Sequence, residues 1–382
     1  MQYRPVGKTG MRASVIGLGT EHLDRKPYAV VEETIHAALD HDINIFDVFM
    51  PGREVRENIG RALQGRRDQV LLQGHIGATD IGQQYDISRD PAVAKRYFED
   101  LLRFLKTDYI DFGMLFFIDS DEDFRGVFET GIADYAVQLK KQGHIRAIGA
   151  SSHNPTTAKR VVETGIVDML MFSINPAFDM TPIDSDVLTM LDENKKYPAL
   201  IGVEPTRAAF YSLCERRGVG ITVMKTLGAG KLLSGEHTPF DAPLTVGQCI
   251  HYALSRPAVA SVMIGAKTSA QVREAVAYCS LTDAERDYTG AISGQKDGFR
   301  GSCVYCNHCQ PCPSNIDIAS VTKYLDIAKL DPLHIPQSIR QHYDAQSAHG
   351  SACIACGSCA KRCPFGVDII ENMKQAAELF GK

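Results

Sequence analysis

The sequence predicts an α/β protein, a (β/α)8 TIM barrel followed by a small helical domain that is rich in cysteine. Over residues 1–280, eight short apolar runs alternate with longer amphipathic runs, as in strand–helix units whose parallel sheet is covered on its outer face. Over residues 303–382, eight of the eleven cysteines stand in two tight runs. We therefore divide the chain into a barrel (1–280), a polar linker (281–302) and a cysteine domain (303–382).

The barrel elements can be assigned in chain order. A hairpin around Lys8-Thr9-Gly10 precedes the strands. The expected strands are 14–19, 43–47, 70–74, 110–116, 145–151, 169–174, 220–225 and 261–264. The expected helices are 30–40, 91–105, 124–142, 155–163, 206–217, 246–255 and 269–277, followed in the cysteine domain by 318–330, 335–346 and 368–380. In such a barrel the active site lies at the C-terminal ends of the strands.

A doubly wound sheet is the alternative fold. It would usually carry a glycine fingerprint after its first strand, and Gly17-Leu-Gly19-Thr-Glu-His does not complete G-x-G-x-x-G. The long connection 176–205 between the sixth and seventh strands is typical of a lid or a substrate-shaping loop.

The two cysteine runs have the spacing of iron–sulfur ligands. The first reads Cys303-x2-Cys306-x2-Cys309-x2-Cys312-Pro313, and the second reads Cys353-x2-Cys356-x2-Cys359-x3-Cys363-Pro364. Three thiolates two residues apart wrap three corners of a cubane cluster, and the fourth, followed by proline, reaches the other cluster as in two-cluster ferredoxins. The prediction is therefore a bacterial-ferredoxin-like domain with two [4Fe–4S] clusters. One cluster is expected on Cys303, Cys306, Cys309 and Cys363, and the other on Cys353, Cys356, Cys359 and Cys312.

Zinc and disulfides are the alternative uses of these cysteines. Zinc also takes four cysteines, but it does not require two triple runs that each close with Cys-Pro. Disulfides are not expected because no secretion segment accompanies the cysteines. No sequence repeat is evident beyond the paired cysteine runs. The other three cysteines, Cys214, Cys249 and Cys279, are expected to be small buried hydrophobic residues.

Composition limits the class of protein. A net charge of −5 without any basic run argues against a nucleic-acid partner. No apolar run approaches the length that spans a membrane, so we expect a cytoplasmic protein without a membrane partner. The expected partners are a small-molecule substrate and an electron-transfer protein.

The barrel motifs resemble the aldo/keto reductase family. They are Tyr3-Arg-Pro-Val-Gly-Lys-Thr-Gly10, Val15-Ile-Gly-Leu-Gly19, Asn44-Ile-Phe-Asp47, Glu57-Asn-Ile-Gly-Arg-Ala-Leu63, Asp108-Tyr-Ile-Asp111, Ile145-Arg-Ala-Ile-Gly-Ala-Ser151 and Met224-Lys-Thr-Leu-Gly-Ala-Gly-Lys231. With its cysteine tail, the chain is similar to the branch of that family that carries a C-terminal ferredoxin-type domain. The resemblance implies a barrel and an oxidoreductase.

The resemblance also implies a catalytic Asp–Tyr–Lys–His set, of which only Asp47 is matched. Met50-Pro51-Gly52 contains no tyrosine, His75 stands at the lysine position, and Phe116 stands at the histidine position. A carbonyl substrate would therefore lack the usual proton donor and charge stabilisation. The predicted catalytic residues are Asp47, His75 and Lys225. Further acid–base candidates near strand ends are Glu21, His22 and His153, with His153 expected at the surface, whereas Arg53, Arg56 and Lys231 are expected to be solvated.

The nicotinamide-binding residues that the resemblance implies are only partly retained. Ser151 and Asn175 match, but Met171 stands where a glutamine is expected. The phosphate end matches better, since Gly265-Ala-Lys267-Thr268 opens a helix in which Gln271 and Glu274 are suitably placed. A helix N-terminus with a nearby lysine holds phosphate, so this site fits NADP(H), FMN or a phosphorylated substrate.

These features predict an iron–sulfur oxidoreductase with an unusual barrel site. It would couple one-electron transfer through two clusters to redox chemistry at a cofactor or substrate over the barrel mouth, where a flavin can join one-electron and hydride chemistry. One alternative is an NADPH-dependent carbonyl reductase in which His75 replaces the usual proton donor. The other is a non-catalytic electron-transfer protein whose barrel only docks a partner.

Overall fold

Eight parallel strands close into a barrel, as predicted. The computed structural model describes residues 1–80, 85–183, 185–192, 194–198, 200, 204–292 and 300–382. The strands are β1 (Tyr3–Pro5), β2 (Arg12–Ser14), β3 (Ile16–Gly19), β4 (Ile45–Val48), β5 (Leu71–Ile76), β6 (Ala78–Asp80), β7 (Tyr85–Ile87), β8 (Ile110–Leu115), β9 (Ile145–Ser152), β10 (Met169–Ser173), β11 (Gly220–Met224) and β12 (Val259–Gly265). Around the barrel, β3, β4, β5, β8, β9, β10, β11 and β12 follow one another in chain order, and β12 pairs with β3.

Several helices begin at polar caps that the sequence supplies. Asp90, Asn154 and Glu204 each accept a backbone N–H at a helix start that continues with proline, a residue already shaped for the first turn. The described helices are Tyr28–Asp40, Arg53–Ala62, Pro91–Leu105, Asp121–Phe128, Ile132–Gln142, Pro155–Glu163, Pro176–Asp179, Val187–Met190, Pro205–Arg217, Val246–Leu254, Ser269–Ala277, Asp283–Arg286, Ile318–Lys329, Gln337–Asp344, Ser358–Arg362 and Ile369–Phe380.

Three local expectations were wrong or incomplete. The single helix expected over 124–142 is two helices, because Gly131 between them takes a left-handed φ of 100°. The helix Arg53–Ala62 was missed, since its sequence is mostly polar and buries few apolar side chains. The antiparallel pair β6–β7 was also missed, because strands of three residues are too short for an alternating pattern.

The N-terminal hairpin was correctly predicted, and it packs against one end of the barrel. Strand β1 pairs with β2, and Val6 and Met11 join the buried cluster that contains Met169 and Met263 from the barrel. Gly220 at the start of β11 lies so close to this hairpin that an added Cβ would stand 2.7 Å from the nitrogen of Gly7. The opposite, C-terminal ends of the strands carry the polar residues described below.

The chain forms two compact units. The first contains the barrel strands and consists of Met1–Ile174, Val219–Thr226 and Ala258–Ser280. The second consists of Asn175–Gly218, Leu227–Pro257 and Leu281–Lys382, so the cysteine region shares a unit with the helices Pro205–Arg217 and Val246–Leu254. Within the expected linker 281–302, Tyr288 and Ile292 are buried, and residues 293–299 lie outside the described part of the chain.

Two side chains that were expected to be solvated are buried. Arg56 is fully buried and donates to the carbonyls of Met50 and Tyr97, and burial lowers its pKa to about 10. Lys231 donates through Nζ to three backbone carbonyls of the long connection, those of Met190, Asp192 and Lys195, at 2.6–3.0 Å. Arg53 is exposed as expected. No helix in the described ranges is long and apolar enough to span a membrane.

Candidate functional site

A buried histidine–aspartate pair lies at the C-terminal ends of two neighbouring barrel strands. Nε2 of His75, on β5, lies 2.8 Å from Oδ1 of Asp47, on β4. Gln73, two residues before His75 on the same face of the strand, donates to the same oxygen at 2.8 Å. His75 is 2% exposed and Asp47 is 3% exposed. The sequence predicted two members of this group and missed Gln73.

Two polar atoms of this group have no partner in the described part of the chain. They are Nδ1 of His75 and Oε1 of Gln73, and both are buried. A buried polar atom without a hydrogen bond costs about 1–3 kcal/mol, so it is uncommon unless it serves a function. With Nε2 held by Asp47, Nδ1 is the ring nitrogen of His75 that is left for a further hydrogen bond.

Aromatic side chains cover the histidine. The Phe116 ring stands edge-on to His75 at 5.2 Å, and Phe49 lies 6.0 Å from both rings. Tyr85, on β7 of the missed hairpin, contacts Phe49 at 5.3 Å and Phe116 at 6.1 Å between ring centroids. A phenol therefore reaches this region from a segment that the sequence did not single out. Burial, with a smaller contribution from the Glu21 charge, raises the pKa of Tyr85, so its hydroxyl keeps its proton at neutral pH.

A second histidine–carboxylate pair follows the next two strands around the barrel, β8 and β9. Nδ1 of His153 lies 2.8 Å from Oδ2 of Asp119, whose other oxygen accepts from Ser152 Oγ and the His153 backbone N–H. The expectation that His153 is exposed was wrong, because this carboxylate holds the ring in a buried position. Burial alone would raise the pKa of Asp119, but the hydrogen bonds and charge of His153 outweigh it and lower that pKa.

Replacing Asp119 with asparagine is expected to lower the free energy of unfolding by about 2 kcal/mol at pH 7. The folded-state pKa of Asp119 lies below its ordinary value of 3.8, so its contribution is present above that value and is lost as the pH falls through the folded-state pKa. The difference between wild type and Asp119→Asn should therefore shrink below about pH 4. Thermal unfolding of both proteins across pH 3–8 measures it, and a constant difference would contradict this assignment.

Charged residues surround the ends of β3, β11 and β12. Lys225 follows β11 in a left-handed conformation, and its Nζ lies 4.0 Å from Oε2 of Glu21, so it has the carboxylate partner that its position requires. The ring of His22 packs over Gly265, where an added Cβ would stand 3.1 Å from it. Burial lowers the pKa of His22, and the positive charges of Lys267 and Lys225 add to this effect against the opposing charge of Glu21.

The predicted phosphate loop is solvent-accessible and opens a helix. Gly265, Lys267 and Thr268 are exposed, and Thr268 caps the helix Ser269–Ala277 by accepting from the N–H of Gln271. The Gln271 side chain accepts from the Lys267 backbone N–H at 2.7 Å. Glu274 is exposed on the same helix. The loop thus presents one lysine side chain and a helix N-terminus to solvent, both of which favour an anion.

The residues expected to hold a nicotinamide serve other contacts. Ser151 Oγ accepts from the N–H of Phe117 at 2.8 Å. Asn175, in the second unit, caps the helix Pro176–Asp179 by accepting from Phe178. Met171 is buried in the barrel core, with its sulfur 4.0 Å from Gln73 Nε2. The barrel therefore does hold a glutamine near Met171, but this glutamine, Gln73, is on β5 and not on β10.

The eight cysteines of the two runs line two separate cavities. The first has about 330 Å³ of space, partly open to solvent, and is lined by Cys303, Cys306, Cys309 and Cys363 together with apolar residues such as Ile318. The second has about 360 Å³ and is lined by Cys353, Cys356, Cys359 and Cys312. Each cavity thus brings together three cysteines of one run and the last cysteine of the other.

The two cysteine runs have the same backbone conformation around their first two cysteines. In each, the residue two after the first cysteine, Tyr305 or Ala355, is left-handed and donates its N–H to that cysteine's sulfur at 3.4 Å. The residue after the second cysteine, Asn307 or Gly357, is left-handed as well. The two loops therefore take the same backbone turns around their first two cysteines.

The likeness continues beyond the cysteines, so the expectation of no further repeat was wrong. After Cys312-Pro313 and Cys363-Pro364 the chain takes a left-handed turn, at Asn315 or Gly366. A capping aspartate then opens a helix of twelve residues, Ile318–Lys329 or Ile369–Phe380, and the two helices pack together. The sequence signal was present as Cys-Pro-x-x-[Ile/Val]-Asp-Ile in both runs.

The cavities do not have the geometry of a single-ion site. Within the described ranges, no three His, Cys, Asp or Glu side chains are arranged to hold one metal ion. A zinc ion requires its sulfurs about 2.3 Å from one point. The cysteines that line the two cavities are therefore not arranged as a ready tetrahedral site for one ion.

Comparisons with known proteins concern the barrel. A sequence model of the aldo/keto reductase family matches residues 15–246. The chain is 29% identical over 297 residues to the uncharacterized oxidoreductase YqkF of Bacillus subtilis. The aligned region covers 72% of this chain and 90% of that protein. The chain is 32% identical over 164 residues to the aldo-keto reductase YhdN of B. subtilis, with coverage of 40% and 47%.

Solved structures share the fold. The holo form of the aldo-keto reductase AKR11C1 from Bacillus halodurans superposes with a TM-score of 0.58 at 23% identity, over 76% of this chain and 96% of that one. The putative aldo-keto reductase PA4992 from Pseudomonas aeruginosa gives 0.55 at 22% identity, over 73% and 94%. At these identities the likeness concerns the barrel architecture.

Proposed function

Since the chain belongs to the aldo/keto reductase family and is an oxidoreductase, we propose that it couples one-electron transfer through two [4Fe–4S] clusters to redox chemistry at the barrel mouth. The observation that carries the proposal is the pair of cavities, each lined by one of the two cysteine sets. The division into a barrel (1–280), a linker (281–302) and a ferredoxin-like domain (303–382) is part of the same proposal.

The cysteines supply the ligands. Cys303, Cys306, Cys309 and Cys363 would hold the first cluster, and Cys353, Cys356, Cys359 and Cys312 the second. Each cluster supplies storage for single electrons. The protein contributes the inward-pointing sulfurs, the N–H donors of Tyr305 and Ala355, and apolar walls that restrict water.

In the barrel, the proton-handling group is His75. Asp47 accepts from one ring nitrogen and fixes the orientation of the imidazole, while the unpartnered Nδ1 exchanges a proton with the ligand. Lys225, beside Glu21, supplies positive charge at the mouth.

The phosphate of FMN or NADP(H) would lie at the loop formed by Gly265, Lys267 and Thr268, with Gln271 and Glu274 from the following helix. Ser151 and Asn175 remain proposed cofactor contacts.

The second candidate is NADPH-dependent carbonyl reduction that does not use the clusters. The observation that favours it is Tyr85, a protonated phenol within the aromatic layer over His75. Either Tyr85 or His75 would then donate the proton to the carbonyl oxygen, in place of the missing tyrosine before the helix Arg53–Ala62. The similarity to enzymes named as aldo-keto reductases supports this candidate as well.

Mixing the anaerobic protein with NADPH separates the two candidates. If the clusters are coupled to the barrel, the broad visible absorbance of iron–sulfur centres falls when NADPH, or reduced FMN, is added without any carbonyl. Mass spectrometry of the extracted small molecules identifies a bound flavin. If NADPH is consumed only when a carbonyl is present, and the visible absorbance stays constant, the coupling proposal is wrong and the second candidate holds. The Cys363→Ser variant is the control for absorbance that arises from the first site.

A further inference from the structure

Arg256 reaches the first cysteine cavity from the helix Val246–Leu254, which belongs to the same unit as the cysteines. It stands just beyond the end of that helix and is 5% exposed. Its guanidinium donates to the carbonyl of Val304, the residue that follows Cys303. Val304 lines the first cavity, so the positive charge lies beside the backbone that joins two of the proposed ligands, Cys303 and Cys306.

The surroundings of Arg256 contain aromatic faces and carbonyls. Its guanidinium carbon lies 4.5 Å from the ring centroid of Tyr252 and 5.2 Å from that of Tyr305. The remaining hydrogen bonds go to the Tyr252 carbonyl at 3.3 Å and to Ser255 Oγ at 2.9 Å. The Tyr288 hydroxyl donates to the same Val304 carbonyl at 2.9 Å. These contacts fix the position of the guanidinium and exclude water around it.

Arg256 forms no salt bridge with a carboxylate in the described part of the chain, in contrast to the buried Arg207. Arg207 pairs with Asp179 at 2.9 Å. Desolvation opposes the charge of Arg256, and the Asp179 charge, already paired with Arg207, is one of those that raise the pKa of Arg256. A further anionic group in direct contact would be a favourable complement to this buried cation. A thiolate-bound iron–sulfur cluster in the first cavity would be that anionic group.

The second cavity has a more solvated surrounding. Ile354 on its rim is 68% exposed, and Cys356 is exposed. Arg362 lines it, but it is only half-buried and donates to the carbonyls of Cys309 and Pro311, both at 2.6 Å. A solvated charge acts more weakly than a buried one, because water screens it. The two cavities therefore differ in the strength of the fixed positive charge beside them.

We propose that Arg256 is a positioning residue that raises the reduction potential of the cluster held by Cys303, Cys306, Cys309 and Cys363. The inference rests on the proposed function, since it requires a cluster in the first cavity. Reduction adds one negative charge to the cluster, and a fixed buried cation nearby stabilises the reduced form. At an effective dielectric constant of about 20, a unit charge within roughly 10 Å changes such an equilibrium more than tenfold.

The test is a redox titration of the anaerobic full-length protein, followed by electron paramagnetic resonance. Arg256→Met is expected to lower the midpoint potential of one cluster by at least about 59 mV, which corresponds to a tenfold change for a one-electron couple. The affected signal should be the one that is lost in Cys363→Ser. Arg256→Lys keeps the charge and should stay close to wild type. Arg340→Met removes an exposed positive charge from the helix Gln337–Asp344 and serves as the matched control.

Three results would overturn the inference. The first is an unchanged potential in Arg256→Met with full iron content, and the second is an equal shift in Arg256→Lys, which would indicate lost packing in place of lost charge. If Arg256→Met does not retain iron, Arg256→Gln is titrated in its place, because glutamine keeps an N–H donor and removes the charge. The third result that would overturn the inference is an unchanged midpoint potential in Arg256→Gln. A wild-type protein without iron would contradict the proposed function itself, which keeps the two failures distinguishable.

Discussion

Replacing Cys363 with serine is expected to remove the cluster of the first run, although Cys363 belongs to the second. Cys363 lines the first cavity together with Cys303, Cys306 and Cys309. About four irons per chain should be lost, because a cubane cluster needs its full ligand set. Since metal binding contributes directly to folding, the cysteine domain should also become more sensitive to protease.

The reciprocal change and a control make this experiment decisive. Cys312→Ser should remove the other cluster, because Cys312 lines the second cavity. Cys279→Ser is the control, since Cys279 lies in the first unit against Met1 and lines neither cavity. Iron and sulfide analysis with paramagnetic resonance identifies which cluster remains. If Cys363→Ser retained the signal of the first site and lost that of the second, the ligand pairing would be wrong.

Replacing His75 with asparagine is expected to lower turnover at the barrel at least about a hundredfold, the usual contribution of a general acid or base. Asparagine is smaller than histidine and does not titrate, so it removes the proton exchange at Nδ1 while keeping a polar side chain beneath Phe49 and Phe116. Asp47→Asn should have a smaller effect in the same direction, because the imidazole remains but loses its orienting carboxylate. Steady-state rates with the cofactor identified by extraction provide the measurement.

Two observations make the His75 result specific. The variant should keep its full iron content and cluster spectra, because His75 and Asp47 lie in the unit of the barrel strands and not among the cysteines. The exposed His334, substituted by asparagine in the same way, should retain wild-type turnover. A His75→Asn enzyme within about twofold of wild type would assign the proton transfer to another group, of which Tyr85 is the first to test.

The barrel was predictable from the sequence because its strands are continuous apolar runs at regular spacing. The polar residues at their C-terminal ends, Asp47 and His75, could be selected for the same reason. Gln73 could not, since one amide within an apolar strand has no pattern, and only the pairing of β4 with β5 places it beside Asp47. Tyr85 was missed because it stands on a strand of three residues.

Long-range polar contacts account for most of the other failures. His153 was expected to be exposed, and it is buried because Asp119, 34 residues away in sequence, accepts from it. Lys231 was expected to be solvated, and it is buried because three carbonyls some 36–41 residues away converge on its Nζ. Arg256 contacts Val304 across 48 residues. Local periodicity reports which face of an element is apolar, and it contains no information on such partners.

The iron and acid-labile sulfide content of the wild-type chain, purified without oxygen, decides whether the two cysteine sets hold clusters. Two [4Fe–4S] clusters require about eight irons and eight sulfides per chain, with both cysteine sets occupied. Stoichiometric zinc, or fewer than about four irons, would contradict the account.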